Sequence, residues 1–307
     1  MRPGNAPDPK PMTVRTRNTL LITAAATAVF FGLRALPDTA CGFMHLHDTV
    51  VGETGLEYCD PSEVAMYAET DAIKFPVTAE IVPDEPLVAG KTTRVRLTLR
   101  APNGNALLPH EIALSHTKQV HLMATDPALD AYRHLHPEPE GTAGEWVFDY
   151  TPASGGEQVF FIDCIHRLTK RPQLIRVTLP CAGATVPAAP LRTLDATLPD
   201  GGHATLSLHP QPAKTGEDID IRLRFAGRAG APVTLKPVMA AYAHLVAFDP
   251  ERKGFAHLHP LQTDRENDPQ PELRFRFRTD KPGRYRLWAQ FDAGHGETFV
   301  PFDVWVR

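Results

Sequence analysis

The sequence has none of the short patterns that mark the common catalytic machineries. It lacks a Gly-x-Ser-x-Gly nucleophile turn, a His-Glu-x-x-His helix and a glycine-rich phosphate loop. Basic residues are not in excess either, because the 307 residues carry a formal net charge of −4 and form no basic stripe. We therefore predict a protein that is not an enzyme and does not bind nucleic acid. A metalloenzyme is the one catalytic alternative that stays open.

Long hydrophobic stretches are also missing, apart from one near the N-terminus. Residues 20–33 form an uncharged run of 14 that follows Arg15 and Arg17. A membrane-spanning helix needs about 20 apolar residues, whereas a basic leader before a short apolar run is typical of a signal peptide. We predict that residues 1–40 are a signal peptide or a membrane anchor. The rest of the chain is then expected in the periplasm or cell envelope, with membrane contact only through this segment.

Helix-favouring composition is lacking, because proline is abundant. The 30 prolines are about twice the ordinary usage, and they favour short strands joined by rigid turns. From residue 75 onward, apolar and polar residues alternate in short segments separated by turn signals, a pattern typical of sandwiches and barrels. The predicted fold is all-β, with two tandem immunoglobulin-like antiparallel β-sandwiches after the N-terminal segment. The predicted parts are residues 1–40 (signal peptide or anchor), 41–74 (N-terminal segment with Cys and His), 75–181 (first sandwich), 182–190 (Pro/Ala linker) and 191–307 (second sandwich).

Cysteine is scarce, with four residues in an even set that an exported protein can use in disulfides. Cys164 and Cys181 should lie at opposite ends of the last hairpin of the first sandwich, beyond the ~7 Å between Cα atoms that a bridge allows. If either pairs, we expect its partner in the N-terminal segment. Residues 41–48 combine cysteine, methionine and a His-Leu-His triplet, a mixture of ligands that favours copper. A segment tied down by a Cys41–Cys59 disulfide is the simpler interpretation.

The same N-terminal segment also carries the start signal of a helix. The run from Pro61 to Glu69 has the composition of a short helical segment, with Ser62 as its predicted capping start. We predict one short helical segment there.

One motif occurs twice in the chain. Residues 121–137 and 244–260 align without a gap, and nine of the 17 positions are identical, including three histidines, an aspartate and two prolines. The two copies lie 123 residues apart. An internal repeat of this kind indicates a duplicated structural unit.

Each copy of the motif is predicted to fold as a β-hairpin. In the first copy, a turn after residue 126 would place Met123 opposite His134 and His121 opposite His136. Because side chains alternate between the two faces of a strand, the histidines would share one face. The apolar residues between them would share the other face, which is the natural core face. A slip of one residue in the pairing would separate the two sets.

The sixth strand of each sandwich is expected to bring one more histidine to the motif. The third strand runs antiparallel to the sixth, so the start of one lies near the end of the other, and the sixth strands end at His166 and His295. We predict one metal pocket in each sandwich, with Cys164 available as a fourth ligand in the first only. Three imidazoles suffice for zinc or copper. The predicted metal ligands are His121, His134, His136, His166, His244, His257, His259 and His295.

The repeated motif resembles one found in exported bacterial β-sandwich proteins of largely unknown function. The resemblance rests on the pattern His-Leu-x-x-x-Asp, then an aromatic residue, then His-x-His-Pro, as it stands in residues 121–137 and 244–260. It implies the fold and an envelope location, and some of these proteins are suspected of copper or heavy-metal handling. The pattern does not include His166 or His295, which rest on the strand topology alone.

Two interpretations of the repeated histidines remain. In the first, the protein binds a metal ion, copper rather than zinc, for storage, delivery or tolerance in the envelope, with another envelope protein as a further partner. In the second, the sandwiches form a non-enzymatic interaction module and the histidines only stabilise turns. The isolated histidines His110, His116, His203 and His209 are expected to be solvated loop or strand residues.

Overall fold

The computed structural model describes residues 13–34, 49–51, 55–59, 64–187 and 190–307. The chain divides into two compact units, Met1–Cys41 and Gly42–Arg307. The first unit contains helix α1 (Val14–Arg34), which includes the hydrophobic run noted in the sequence. Among the residues that the structure describes, no helix is both long enough and apolar enough to cross a membrane.

The second unit is built from strands, which confirms the all-β prediction. Two short 3-10 turns, Pro109–Glu111 and Arg228–Gly230, interrupt them. The strands are β1 (Thr49–Val51), β2 (Glu57–Cys59), β3 (Ala65–Met66), β4 (Ala68–Glu69), β5 (Thr78–Pro83), β6 (Leu87–Val88), β7 (Thr93–Arg100), β8 (Val120–Thr125), β9 (Tyr132–Leu135), β10 (Glu138–Glu140), β11 (Glu145–Tyr150), β12 (Gly156–His166), β13 (Arg171–Ala182), β14 (Asp195–Thr197), β15 (His203–His209), β16 (Ile219–Ala226), β17 (Ala243–Phe248), β18 (Gly254–Leu258), β19 (Glu272–Arg278), β20 (Gly283–Asp292) and β21 (Glu297–Val306).

Two sheets enclose the core of the first half, and we call them the first sheet pair. One has the strand order β10-β11-β7-β5 and the other the order β6-β13-β12-β8-β9. Strand β7 illustrates the sequence pattern behind this packing, because its residues alternate between buried and more exposed positions. The fully buried side chains of Trp146, Phe160 and Ile162 lie in the core that both sheets share.

The second sheet pair has the strand orders β14-β15-β16-β19-β3 and β21-β20-β17-β18-β4. Its core contains Phe225, Phe275 and Phe291, all fully buried. The edge strands β3 and β4 come from the N-terminal segment, so residues that precede the first sheet pair complete the second.

The predicted helix in residues 61–69 is wrong over its described part. Residues 65–69 form strands β3 and β4 instead, and Ala68 is fully buried beside Phe255 of strand β18. Tertiary contacts determine the conformation here, since pairing with strands β18 and β19 outweighs a weak local helix preference. The cysteine, methionine and histidine set of residues 41–48 lies outside the described residues.

The two sheets that carry the repeated motif pack against each other. Their outer faces enclose a third apolar cluster, to which β8, β9 and β12 contribute from the first sheet pair and β17, β18 and β20 from the second. Tyr132 stacks on Trp288 with ring centroids 5.7 Å apart, and Phe161 lies 5.4 Å from Phe248. Each motif sheet is therefore covered on both faces, by its own core and by the other motif sheet.

Two arginines tie these motif sheets together in a reciprocal way. Arg286 of β20 donates to the backbone carbonyl of Leu129, in the turn of the first hairpin, at 2.9 Å. Arg176 of β13 donates to the carbonyl of Arg252, in the turn of the second hairpin, at 2.7 Å. Leu129 and Arg252 are equivalent positions, 123 residues apart, and both have a positive φ. The same position of each hairpin turn thus accepts a hydrogen bond from the other half, although the two arginines lie on non-equivalent strands.

Candidate metal centre

Both copies of the motif fold as the predicted hairpins. In the first, Met123 pairs with His134 across strands β8 and β9. In the second, Val246 pairs with His257 across strands β17 and β18, at equivalent positions. The predicted register is confirmed in both copies.

The predicted division of faces is confirmed as well. Leu122 and Ala124 point into the core of the first sheet pair, and Leu245 and Ala247 point into the core of the second. The motif histidines lie on the opposite faces, where the other motif sheet covers them. They are consequently buried: His121 is 3% exposed and His244 is fully buried.

The prediction of one pocket per sandwich is wrong, because the two sets of histidines form a single cluster between the sheet pairs. His134 lies 5.1 Å from His257 and 5.7 Å from His244, measured between ring centroids. His121 lies 5.2 Å from His257. The described histidines of this cluster are His116, His121, His134, His136, His244, His257 and His259.

The structure does not bring His166 and His295 to this cluster. His166 lies at the tip of the β12–β13 hairpin, where its Nδ1 faces the hydroxyl of Thr169. His295 is exposed and pairs with Asp200 at 3.1 Å. Both residues lie beyond the strand positions that face the motif, since His121 pairs with Asp163 rather than with the end of β12.

Cys164 is not a fourth ligand, because it points to the opposite face of its strand. It is buried in the apolar core of the first sheet pair, where loss of hydration raises the pKa of its thiol. Cys164 pairs with Gln173 and Cys181 with Gly156, so the two cysteines lie at opposite ends of the β12–β13 hairpin as predicted.

His116 belongs to the cluster, although the sequence interpretation placed it among the solvated histidines. It is fully buried, and its ring stacks on that of His259 with centroids 3.6 Å apart. It occupies a tight turn before β8 in which both it and Thr117 have a positive φ. Its backbone N–H donates to the carboxylate of Glu57 at 2.8 Å, and its Nδ1 lies 3.5 Å from the same oxygen. The equivalent position in the second copy is Met239, so the repeat offered no signal for this histidine.

The first histidine of each motif has its tautomer set by the backbone. His121 Nε2 lies 2.9 Å from the carbonyl oxygen of Ser115, and His244 Nε2 lies 3.0 Å from that of Val238. A carbonyl can only accept, so Nε2 carries the hydrogen in each ring and Nδ1 presents a lone pair. Nδ1 of His244 has no hydrogen-bond partner among the described residues.

The middle histidine of each motif is held by a side chain from the other sheet pair. His134 Nδ1 lies 2.7 Å from Gln290 Oε1, and His257 Nδ1 lies 3.2 Å from Asp163 Oδ2. Asp163 and Gln290 are equivalent, since each pairs in its sheet with the first motif histidine of its own half. The sixth strand of each sheet pair therefore does contribute a residue to the cluster, but this residue is Asp163 or Gln290 rather than a histidine. Each of the two holds a histidine of the other sheet pair.

Two lone pairs face each other at the centre of this network. Gln290 donates through its Nε2 to Glu297, so its Oε1 must accept the hydrogen of His134 Nδ1. That leaves a lone pair on His134 Nε2, which lies 3.1 Å from His121 Nδ1. With the His121 hydrogen on Nε2, neither of the facing nitrogens of the two neutral rings has a hydrogen to donate to the other. Both lone pairs could then be ligands of a cation placed between them.

The distance between these nitrogens fits two ligands of one ion. Bonds of about 2.0–2.1 Å from each nitrogen to a shared ion would subtend an angle of about 100°. Two groups of three histidines have ligand atoms that all lie within 4.8 Å of one another: His121, His134 and His257, and then His244, His257 and His259. The cluster can thus offer three imidazoles to one ion in either of two ways.

The motif aspartates have a structural role. Asp126 accepts from the backbone N–H groups of Asp130 and Ala131, and Asp249 accepts from those of Lys253 and Gly254. These bonds close the hairpin turns in both copies. The aspartates thus stabilise the turns inside the hairpins, while His121 and His244 bond to the carbonyls of Ser115 and Val238 in the turns that precede the hairpins.

Burial favours the neutral form of three of the cluster histidines, His134, His136 and His244. It lowers the pKa of His136 and of His244 to about 3, and neighbouring imidazoles add to the effect. The pKa of His134 is lowered well below its ordinary value for the same two reasons, of which burial is the larger. A neutral imidazole is the form that binds a metal ion, so the ligands stay available below neutral pH.

We expect the metal-free protein to lose stability in acid because of these histidines. The unfolded chain binds a proton at each imidazole near pH 6.5, while His136 and His244 in the folded chain do so only at about pH 3. The unfolded state therefore gains protons first, and stability falls as the pH decreases through this window. Chemical unfolding of chelator-treated protein between pH 7 and pH 4 measures the fall. The His136→Asn/His244→Asn variant should show a shallower slope, and an identical slope would contradict the assignment.

Comparison with known proteins leaves the activity open. Residues 196–307 match a family described as a domain of unknown function (DUF8832). No curated protein matches the chain. Among solved structures, the chain is similar to an endo-fucoidan hydrolase from glycoside hydrolase family 107, with 14% identity and a TM-score of 0.22. That match covers 76% of this chain and 29% of the hydrolase, and a likeness at this level carries no argument about fold or activity.

Proposed function

We propose that the protein is a metal-binding protein of the cell envelope and that its ion, copper rather than zinc, is held by the histidine cluster between the two sheet pairs. The single observation that carries this proposal is the convergence of imidazole nitrogens, with His121 Nδ1 and His134 Nε2 3.1 Å apart and His257 completing a group of three within 4.8 Å. A backbone carbonyl and Gln290 assign the ring hydrogens of His121 and His134 to their other nitrogens, so in the neutral state these two facing nitrogens can both bind one ion.

Protonation is the other way to satisfy such a pair, and the surroundings oppose it. A proton on either nitrogen would create an imidazolium ion in a cluster of seven buried or half-buried histidines. Burial and the neighbouring rings already hold the pKa of His134 far below its ordinary value. A metal ion also brings charge into this volume, but it forms several coordinate bonds at once, which offset the cost of its desolvation.

The charges around the cluster are suited to a bound cation. Asp163 is buried, and its carboxylate lies against His257. Glu57 approaches the cluster from strand β2 and lies against His116. A carboxylate behind a ligating imidazole fixes the ring and makes it a stronger donor. This arrangement of ligand and supporting acid supports a metal site over a purely structural one.

Copper is preferred over zinc on the chemistry of the donors. Imidazole suits both ions, but a nitrogen site binds Cu²⁺ more tightly than Zn²⁺ in the ordinary affinity order of divalent metals. The roles that fit a buried, non-catalytic site are storage, delivery or tolerance, and delivery would involve another envelope protein. The envelope location and the immunoglobulin-like character of the two sheet pairs belong to the same proposal. They are supported by the resemblance of the motif, by the short hydrophobic run within α1 and by the antiparallel pairing of the long strands.

The alternative function is an interaction module in which the histidines only stabilise the interface between the sheet pairs. It is favoured by the well-packed aromatic contacts beside the cluster, such as the stacking of Tyr132 on Trp288. These contacts show that the interface has an apolar component of its own. The hydrogen bonds of His134 and His257 to the opposite sheet pair are compatible with the same alternative.

Metal analysis of the purified chain separates the two functions. After incubation with Cu²⁺ or Zn²⁺ and removal of excess ion, we expect a stoichiometric amount of tightly bound metal. The double variant His121→Asn/His244→Asn should lose much of this binding, because it removes one ligand from each of the two three-histidine groups. The matched controls are His166→Asn and His295→Asn, which replace histidines outside the cluster and should leave binding unchanged. A wild-type chain without tightly bound metal, together with a double variant that loses only thermal stability, would favour the structural alternative.

A further inference from the structure

The two three-histidine groups share one member, His257, so an ion bound by one group would use a ligand of the other. The first group, His121, His134 and His257, draws ligands from both sheet pairs. The second group, His244, His257 and His259, lies within the second motif. We call them the crossing position and the second-motif position. The inference below rests on the proposed metal-binding function and specifies how that site works.

His257 can serve both positions only through the same nitrogen. Its Nδ1 lies 3.2 Å from the carboxylate of Asp163, which can only accept, so Nδ1 carries the ring hydrogen. The ligand atom of His257 is therefore Nε2. An imidazole nitrogen has a single lone pair in the plane of its ring, so Nε2 can bind one ion at a time. Occupation of one position then excludes occupation of the other.

We propose that the cluster holds one metal ion in two alternative, overlapping positions, with His257 as the ligand common to both. An ion that exchanges His121 and His134 for His244 and His259 keeps its bond to His257 throughout. The ion therefore moves between the interface and the second motif without full release into the apolar surroundings. A site of this kind suits a protein that takes up an ion in one place and passes it on from another.

The reciprocal architecture explains why His257 has this role and its counterpart does not. His134 is the equivalent of His257 in the first motif, but its Nδ1 faces the neutral amide of Gln290. It belongs to one three-histidine group, whereas His257 belongs to both. A carboxylate partner strengthens an imidazole donor more than an amide does. The difference between Asp163 and Gln290 thus helps to make the two halves of the cluster unequal, in addition to His116, whose counterpart is Met239.

The stoichiometry and the copper spectrum of the full-length protein test this inference. Titration with Cu²⁺, followed by metal analysis and electron paramagnetic resonance, should show one ion per chain without magnetic coupling. His259→Asn confines the ion to the crossing position and His121→Asn confines it to the second-motif position. Each variant should bind one ion, the two spectra should differ, and the wild-type spectrum should be reproduced by a mixture of them. His257→Asn should lose stoichiometric binding, whereas the exposed control His203→Asn should keep it.

Different results overturn different conclusions. Two Cu²⁺ ions per wild-type chain, or a coupled signal, would show that His257 bridges two ions and would refute the alternating positions while leaving the metal-binding function intact. Identical spectra for His121→Asn and His259→Asn would also refute them. If His257→Asn fails to fold, the wild-type stoichiometry and these two spectra still decide. A wild-type chain that binds no ion would overturn the proposed function, and this inference with it.

Discussion

Replacement of Asp163 by asparagine is expected to weaken metal binding by about 10–100-fold, the usual effect of removing an acid that supports a ligating histidine. Asparagine has nearly the same size and can still accept a hydrogen bond from His257, but it carries no charge. The variant therefore loses the negative charge that strengthens the ring as a donor and that offsets the charge of the ion. Competition with a chelator of known affinity measures the change in the dissociation constant. Thermal unfolding of the metal-free variant shows whether the fold is intact.

The chain contains a matched control for this substitution on its surface. Asp195 lies 3.3 Å from His203 Nδ1, the same kind of pair as Asp163 with His257, but both of its residues are exposed. Asp195→Asn should leave metal affinity unchanged. Equal affinity in the Asp163→Asn variant and the wild type would remove Asp163 from the site and would also weaken the argument for His257 as the shared ligand.

The hairpins and their register were predictable because they depend on local rules. Side chains alternate along a strand, and the turn length sets which residues pair. Met123 opposite His134 follows from these two facts alone, and the structure confirms it. The assignment of Leu122 and Ala124 to the core follows in the same way, since a face that is apolar in both copies is the face that a core requires.

The packing of the two histidine-bearing faces against each other could not be predicted from the same rules. The alternation of side chains along a strand shows which residues share a face, but it does not show what packs against that face. A signal was nonetheless present. Tyr132 and Phe255 lie on the histidine faces, and both are buried at the contact between the sheets. Aromatic residues on a face that is not the core face indicate a further packing partner. With that partner the histidines of the two repeats form one cluster rather than two.

His166 and His295 were wrongly predicted to reach the motif for the same reason. His166 and His295 were chosen because they end the sixth strands, whereas the residues that reach the motif lie three and five positions earlier, at Asp163 and Gln290. Identification of these two residues needed the register of β12 against β8 and of β20 against β17. The sequence contains no pattern that fixes those registers, because the paired strands are separated by more than 30 residues and no short turn links them. His116 was missed for a related reason, since a turn with positive φ turns its side chain inward.

The two sheet pairs are held together by contacts between them, and Arg286 makes one of these contacts. Its guanidinium is buried, donates twice to Asp303 at 2.9 Å and donates to the carbonyls of Leu129 and Pro190. Arg286→Met is expected to lower the free energy of unfolding by about 3–5 kcal/mol, the range observed when a buried ion pair loses one partner. The carboxylate of Asp303 would then remain buried without its principal cation.

Urea unfolding of the metal-free protein measures this loss, and two variants control it. Arg284→Met removes a neighbouring arginine that reaches the same carboxylate only at 3.8 Å, so we expect a loss within about 1 kcal/mol. The double variant Arg286→Met/Asp303→Leu removes both buried charges and should recover part of the stability lost in Arg286→Met. The first hairpin would also lose its contact at Leu129, so metal affinity should fall in Arg286→Met more than in Arg284→Met. Equal stability and equal metal affinity of the two single variants would show that the contact between the sheet pairs does not depend on Arg286. The aromatic packing alone would then have to maintain the position of the first motif against His257.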